Sequence, residues 1–248
     1  MKGLLLTSAL TGVLLATPIL APSQTTSSTA KPAANAWMLT PTPYLAWNLG
    51  VPASVRAQRD RFFDETSVQR VPLTAPGSDP GTVASGETFV GTEPEISDVP
   101  NRVILTGKFT NHRSVLSASE FSLYTEITVH VDEVFEDRSG SGRPSAGEDI
   151  ALLISGGAVT LRSGRSLSYN VAPVELFLEP DHRYLFVLSY HSDGEFYRYS
   201  EDWDLTDGTV RPNTSRTQYL ARHGHSALSG VSVQQLGPAL SRLLYRDR

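Results

Sequence analysis

Asp137, Ser139, Ser141, Gly142 and Glu148 are spaced as in a calcium-binding loop, at positions 1, 3, 5, 6 and 12 of the EF-hand pattern. Oxygen ligands at that spacing, ending in a bidentate Glu, suit a hard cation. Three features oppose a metal. Helices flank an EF-hand loop, whereas this stretch lies between two runs of strand character. Of the matched ligands, Asp137 and Glu148 alone carry charge, and Pro144 stands where the pattern expects a β-branched residue. The intervening Ser-Gly-Ser-Gly-Arg-Pro-Ser-Ala-Gly is turn chemistry. We therefore read the loop as a hairpin tip and expect no cofactor.

A second acidic group, Glu201, Asp202, Asp204 and Asp207, alternates with Trp203 and Leu205. That alternation predicts a solvated strand and turn with Trp203 and Leu205 facing inward. The six histidines are His112, His130, His182, His191, His223 and His225. None falls in an HExxH arrangement or at zinc-ligand spacing, so they read as surface residues. No GxSxG elbow or glycine-rich phosphate loop occurs. Ser226 beside His225 makes no triad by adjacency, because a triad is defined by geometry.

Aromatic residues are denser between Tyr184 and Trp203 than elsewhere. A predicted hairpin there alternates Phe196, Tyr197, Arg198 and Tyr199. One half of its rings must enter a core. Tyr197, Arg198 and Tyr199 are candidates for an exposed Tyr/Arg binding patch of the kind enriched at interfaces. Cross-strand aromatic pairing is the purely structural alternative.

These side chains need strands to position them. Leu123, Ile127, Val129, Val131 and Phe135 alternate with Tyr124, Glu126, Thr128, His130 and Asp132. Period-two patterning over this length predicts a long strand with one face on a core and the other in water. Strands are also expected around 101–110, 150–154, 158–162, 167–171, 184–190 and 195–199. Gly107 within the first of these marks a bulge or a close backbone approach. Gly156-Gly157 and Ser163-Gly164 read as tight turns. Asp193-Gly194 and Asp207-Gly208 read as hairpin turns. Ser54 is positioned to cap a helix over 55–64, and a second helix is expected over 238–245 with Pro238 in its first turn. The predicted fold is mainly β: a small antiparallel barrel, OB-like, or a sandwich, with short helices near both ends.

The 248-residue chain has a formal net charge of −5, no cysteine and no basic cluster. No disulfide or thiolate chemistry is available to it, and nucleic acid is not an expected partner. Lys2, the apolar run 4–20 and the small residues 21–23 have a signal-peptide layout with cleavage before Gln24. The run is too short and too often interrupted for a membrane anchor. Four segments are expected: a signal peptide over 1–23, a flexible linker with a short helix over 24–92, a β domain over 93–212, and a C-terminal extension over 213–248. The mature chain is expected outside the cytoplasmic membrane, periplasmic or extracellular, with no membrane span.

The run from Glu95 to Asp137, followed by Ile154 to Gly157, Leu178 to Leu188 and Asp202 to Val210, resembles a group of exported bacterial proteins of unassigned function. The shared features are the Val-Ile-Leu-Thr-Gly strand end, the Tyr-Thr-Glu strand, a Gly-Gly turn and a closing Asp-Gly turn; Val187-Leu188 replaces the Phe-Leu of that group. The resemblance implies a compact β domain behind a signal peptide, and its strand order is similar to OB-like barrels such as netrin-like domains. It brings no catalytic residues. The expected function is a non-enzymatic binding or structural domain that meets a protein or envelope component. The alternative is a secreted hydrolase or inhibitor-like protein whose site is assembled from scattered polar residues.

Overall fold

The structure, a computed structural model, describes residues 41–43, 50–67, 72–75, 96, 99–141, 144–169, 178–213 and 228–245. The segment read as a signal peptide lies outside the described residues, as do Gly142, His223, His225 and Ser226.

The chain is mainly β. Its elements are β1 (Thr42–Pro43), α1 (Ala53–Thr66), β2 (Arg102–Leu116), β3 (Leu123–Asp137), β4 (Asp149–Ser155), β5 (Gly157–Thr160), β6 (Ser166–Tyr169), β7 (Arg183–His191), β8 (Phe196–Asp204) and β9 (Arg211–Pro212). A 3₁₀ turn at Val233–Gln235 then leads into α2 (Leu236–Leu244). Six strands form one sheet in the order β4-β3-β2-β7-β8-β9. Neighbours in that order are antiparallel. β4 also pairs in parallel with β8, Leu152 opposite Tyr197 and Leu153 opposite Arg198, so the sheet curls partly into a ring. β1, β5 and β6 make a separate small sheet.

The ring needs a strand that bends, and β2 supplies it. It pairs with β3 along one edge over its whole length and with β7 along the other over Arg102–Lys108. Its register against β3 shifts between Ile104 and Leu105, between Thr106 and Gly107, and between Phe109 and Asn111. Gly107 sits where the strands press together. A Cβ there would lie 2.5 Å from the His130 carbonyl oxygen and 2.9 Å from Val129 Cγ1. The close backbone approach predicted from a mid-strand glycine is present.

Val103, Leu105, Phe109, Ile127, Val129, Val131, Leu152, Phe186, Leu188 and Tyr197 fill the inside of the curl. A second apolar layer lies on its outer side, where Ile104, Leu185, Val187 and Trp203 meet Leu236, Ala239 and Leu240 of α2. β7 is therefore covered on both faces. This explains why residues 184–188 read as an unbroken apolar run rather than an alternating one. Pro238 falls within the first turn of α2, where its missing N–H costs nothing.

Several local expectations are corrected. α1 begins at Ala53 after Pro52, and Ser54 lies inside the helix without capping it. Gly156-Gly157 is the expected tight turn between strands, with φ of 90° and 139°, and it carries the chain from β4 into β5 of the small sheet. Gly208 has the positive φ (78°) its turn demands. At the β7–β8 turn that conformation falls on Glu195 (φ 46°) instead of Gly194. Gly194 is needed for closeness, since a Cβ there would sit 2.7 Å from the Phe196 ring.

Gly107→Val is expected to destabilise the fold by about 1–3 kcal/mol, because the intruded atom is backbone and cannot rotate away. Urea unfolding checks this, with Lys108→Val on the exposed neighbour as the control; equal midpoints for the two variants would contradict the close approach.

Candidate functional site

The outer face of β3 was expected in water, but its first half is buried. Tyr124 is fully buried and Glu126 is 7 % exposed, because α1 lies across them. Phe63 supplies the apolar part of that contact. It stacks on the Tyr124 ring at 4.4 Å and packs with Val115, Leu153 and Phe196. The rest of the interface is charged. Arg56 Nη1 donates to the Tyr124 hydroxyl at 2.7 Å, and that hydroxyl donates to Asp60 Oδ1 at 2.8 Å. Arg59 Nη1 meets Glu126 Oε1 at 3.2 Å, and Arg113 Nη2 meets the other oxygen at 2.9 Å. Asp64 accepts from the hydroxyls of Ser117, Ser119 and Ser122, which fixes the β2–β3 loop.

Burial drives the ionisation of this cluster. It pushes the Tyr124 hydroxyl far up, and the adjacent Asp60 carboxylate adds to that push. It raises Asp60 against the opposing bonds from Tyr124 and the Ala118 amide. It lowers Arg59, while Glu126 pulls the other way. Arg59 also donates through Nε to the Gly194 carbonyl and through Nη2 to that of Glu195, both at 2.8 Å. One buried guanidinium thus ties helix, sheet and the β7–β8 turn together.

Beside that turn the helix and sheet diverge into an open groove of about 400 Å³, lined by Gln58, Arg61, Phe62 and Glu65 from α1 and by Asn101, Ser189, Tyr190, His191 and Asp193 opposite. Its wall is aromatic. His191 stacks on Phe196 with centroids 4.9 Å apart and planes 5° from parallel, and Phe62 meets His191 edge-on at 4.8 Å. Burial lowers the His191 pKa and the Arg198 charge lowers it further, against an opposing pull from Asp193. The Arg198 guanidinium lies 5.6 Å from the Phe62 ring centroid. Asn101 holds a positive φ of 47° at the groove lip.

Of the three residues proposed for an exposed aromatic patch, only Arg198 is exposed. Tyr197 is 4 % exposed and packs inside the curl. The β4–β8 pairing covers it from the side that sequence alone left open. Tyr199 is half-buried, and its hydroxyl donates to Asp202 Oδ1 at 2.7 Å. The outward-facing ring of this region is His191 rather than a tyrosine, and Phe62 joins it from far back in the sequence.

The loop bearing Asp137, Ser139, Ser141 and Glu148 connects two antiparallel strands. Asp137 Oδ1 accepts from the Ser139 amide at 2.7 Å, and Glu148 Oε2 accepts from the Ser145 amide at 3.2 Å. These carboxylates hold the turn. Among the described residues no group of three or more His, Asp or Glu side chains is arranged to hold a metal. His130 pairs with Asp149 at 2.8 Å, and His182 pairs with Asp204 at 3.1 Å. These pairs lie in different parts of the sheet from the groove and from His112.

The second acidic group departs most from expectation. Trp203 and Leu205 are buried as predicted, but Glu201 and Asp202 are buried with them. β8 has no solvent face there. Asp202 lies opposite Phe186, which faces the inside of the curl, while Glu201 lies opposite Val187 on the α2 side. Asp202 accepts from Tyr199 and from the Asn213 side-chain amide. Burial raises its pKa to about 7 despite both bonds, with smaller contributions from Asp204 and Glu201.

No protein-family model matches this chain, and no curated protein matches it. Among the described residues no helix is long and apolar enough to cross a membrane.

Arg59→Met is expected to cost about 3–5 kcal/mol, the usual loss when one partner of a buried ion pair is removed. Denaturant unfolding measures it, with exposed Arg61→Met as the control; similar midpoints for the two variants would contradict the role given to Arg59. Asp202 gives a pH signature. Its folded pKa of about 7 lies above the ordinary value near 3.9. Its contribution to stability is therefore complete below about pH 4 and is lost as pH rises through 7. Asp202→Asn is expected to gain melting temperature relative to the parent between pH 4 and pH 8. A gap independent of pH would refute this.

Proposed function

We propose that this chain is an exported, non-enzymatic binding domain built on an OB-like barrel, and that it captures its ligand in the groove between α1 and the β7–β8 turn. The barrel reading rests on the pairings: β2 between β3 and β7, β4 outside β3, β8 outside β7, and the parallel β4–β8 contact that brings the ends together. In OB folds, ligands meet the face of the second and third strands and the loops after the first and fourth. Here those are the β3–β4 face, the β2–β3 loop and the β7–β8 turn. α1 lies on the first and bonds to the other two. The groove is the concavity left open beside it, and this observation carries the proposal. The signal-peptide layout of residues 1–23 supports export, which brings the groove into contact with envelope or extracellular material.

Ser189 offers a test, because it lines the groove and its side chain is half-buried. Full-length protein is screened by amide NMR against neutral oligosaccharides, short peptides and oligonucleotides. Binders are expected to move the amides of Asn101, Ser189 and His191, and Ser189→Trp is expected to abolish those shifts by filling the groove. Binding that moves only residues of the β5–β6 sheet, or that survives Ser189→Trp unchanged, would contradict this assignment.

A further inference from the structure

We propose that the groove accepts a neutral polyhydroxylated chain, a saccharide, laid against the Phe62–His191 wall. This rests on the groove being the binding site and adds the class of ligand.

Charge is the first observation. Arg61 is already paired with Glu65, Nε to Oε1 at 2.8 Å. Arg198 lies over the Phe62 ring, and Asp193 stands on the opposite lip. These four formal charges cancel. Burial and the Arg198 charge both push the His191 pKa down, which favours the uncharged ring. With Arg61 paired to Glu65 and Arg198 offset by Asp193, the groove has no net formal charge to draw a phosphate or carboxylate, and a fully apolar ligand would leave the polar lips desolvated without partners.

The second observation is the pairing of ring and polar groups. A pyranose has an apolar C–H face and a rim of hydroxyls that both donate and accept. The Phe62 and His191 rings are held by mutual packing and by Phe196. The negative π-face of such rings attracts the weakly positive C–H face of a sugar. Around them, Gln58, Asn101, Ser192 and Asp193 present amide, hydroxyl and carboxylate groups. Together these supply donors and acceptors in the mixture that hydroxyls require.

The third observation is preorganisation. The Asn101 carbonyl accepts from the Tyr190 amide at 3.1 Å, and Asn101 Nδ2 donates to the Tyr190 carbonyl at 3.3 Å. These bonds hold the lip in its positive-φ conformation. On the other lip Arg59 fixes the turn through the Gly194 and Glu195 carbonyls. Both lips are set before a ligand arrives, which lowers the entropic cost of binding.

Full-length protein is titrated by calorimetry and amide NMR with chitohexaose, cellohexaose and maltohexaose, and in parallel with hexathymidylate and hexa-alanine. At least one hexasaccharide is expected to bind saturably and to move the Asn101 and His191 amides. Phe62→Ala is expected to weaken it about tenfold, the loss of one aromatic contact. Gln58→Ala, on the exposed surface of α1, keeps the fold and is expected to weaken it severalfold. If hexathymidylate or hexa-alanine occupies the groove and no hexasaccharide does, the saccharide assignment fails and the groove remains the site. If none of the five probes moves a groove amide, both readings fail.

Discussion

A guanidinium inside a protein must have its charge and its donors satisfied, because the desolvation penalty of an unpaired ion amounts to several kcal/mol. Arg59 is 3 % exposed and meets that condition with the Glu126 carboxylate and two backbone carbonyls. The partners come from α1, from β3 and from the β7–β8 turn, so satisfying one side chain fixes three elements. The geometry beside it follows from that. Phe62, three residues further along α1, is carried to His191, and the turn forming the opposite lip is held where the groove needs it. Asp60 and Asp64 complete the attachment at the β2–β3 end. A helix with this much polar buried surface would not remain folded alone at its length; the sheet supplies the partners that its charged side chains need.

The same sheet tolerates a second charged interior on β8. Covering that strand from both sides, by the curl and by α2, leaves Glu201 and Asp202 no route to solvent. Two donors hold Asp202, yet burial still dominates its ionisation. The carboxyl therefore links the stability of the curled sheet to pH near neutrality, separately from the groove.

Strand content was legible because it depends on local alternation. β3 and β4 are legible close to their observed bounds, and Gly107 is legible as a bulge or a close backbone approach. α2 was legible through its Pro238 and its leucine spacing. The misreadings of burial share one cause: a contact from a distant element covers a face that alternation marks as outward. Tyr124 and Glu126 look solvent-facing in a strand pattern because the helix that covers them lies about sixty residues earlier. Glu201 and Asp202 look solvated for the same reason. Tyr197 looked available because nothing local predicts the parallel β4–β8 contact. The groove was illegible as a whole, since Phe62, Asn101 and His191 come from three distant segments. One signal was present: a helix carrying Arg56, Arg59, Asp60 and Asp64 on adjacent turns beside Phe63 has a charged face that requires buried partners of opposite charge.

Native-state hydrogen exchange on the full chain tests the central claim, that α1 is a built-in part of the sheet, most directly. The amides of Arg59, Asp60 and Phe63 are expected to exchange with free energies close to those of β3, because opening the helix breaks the Glu126 and Tyr124 contacts. Exchange of those amides orders of magnitude faster than the β3 amides would show a helix resting on the sheet without being locked to it, and would remove the basis for a preformed groove.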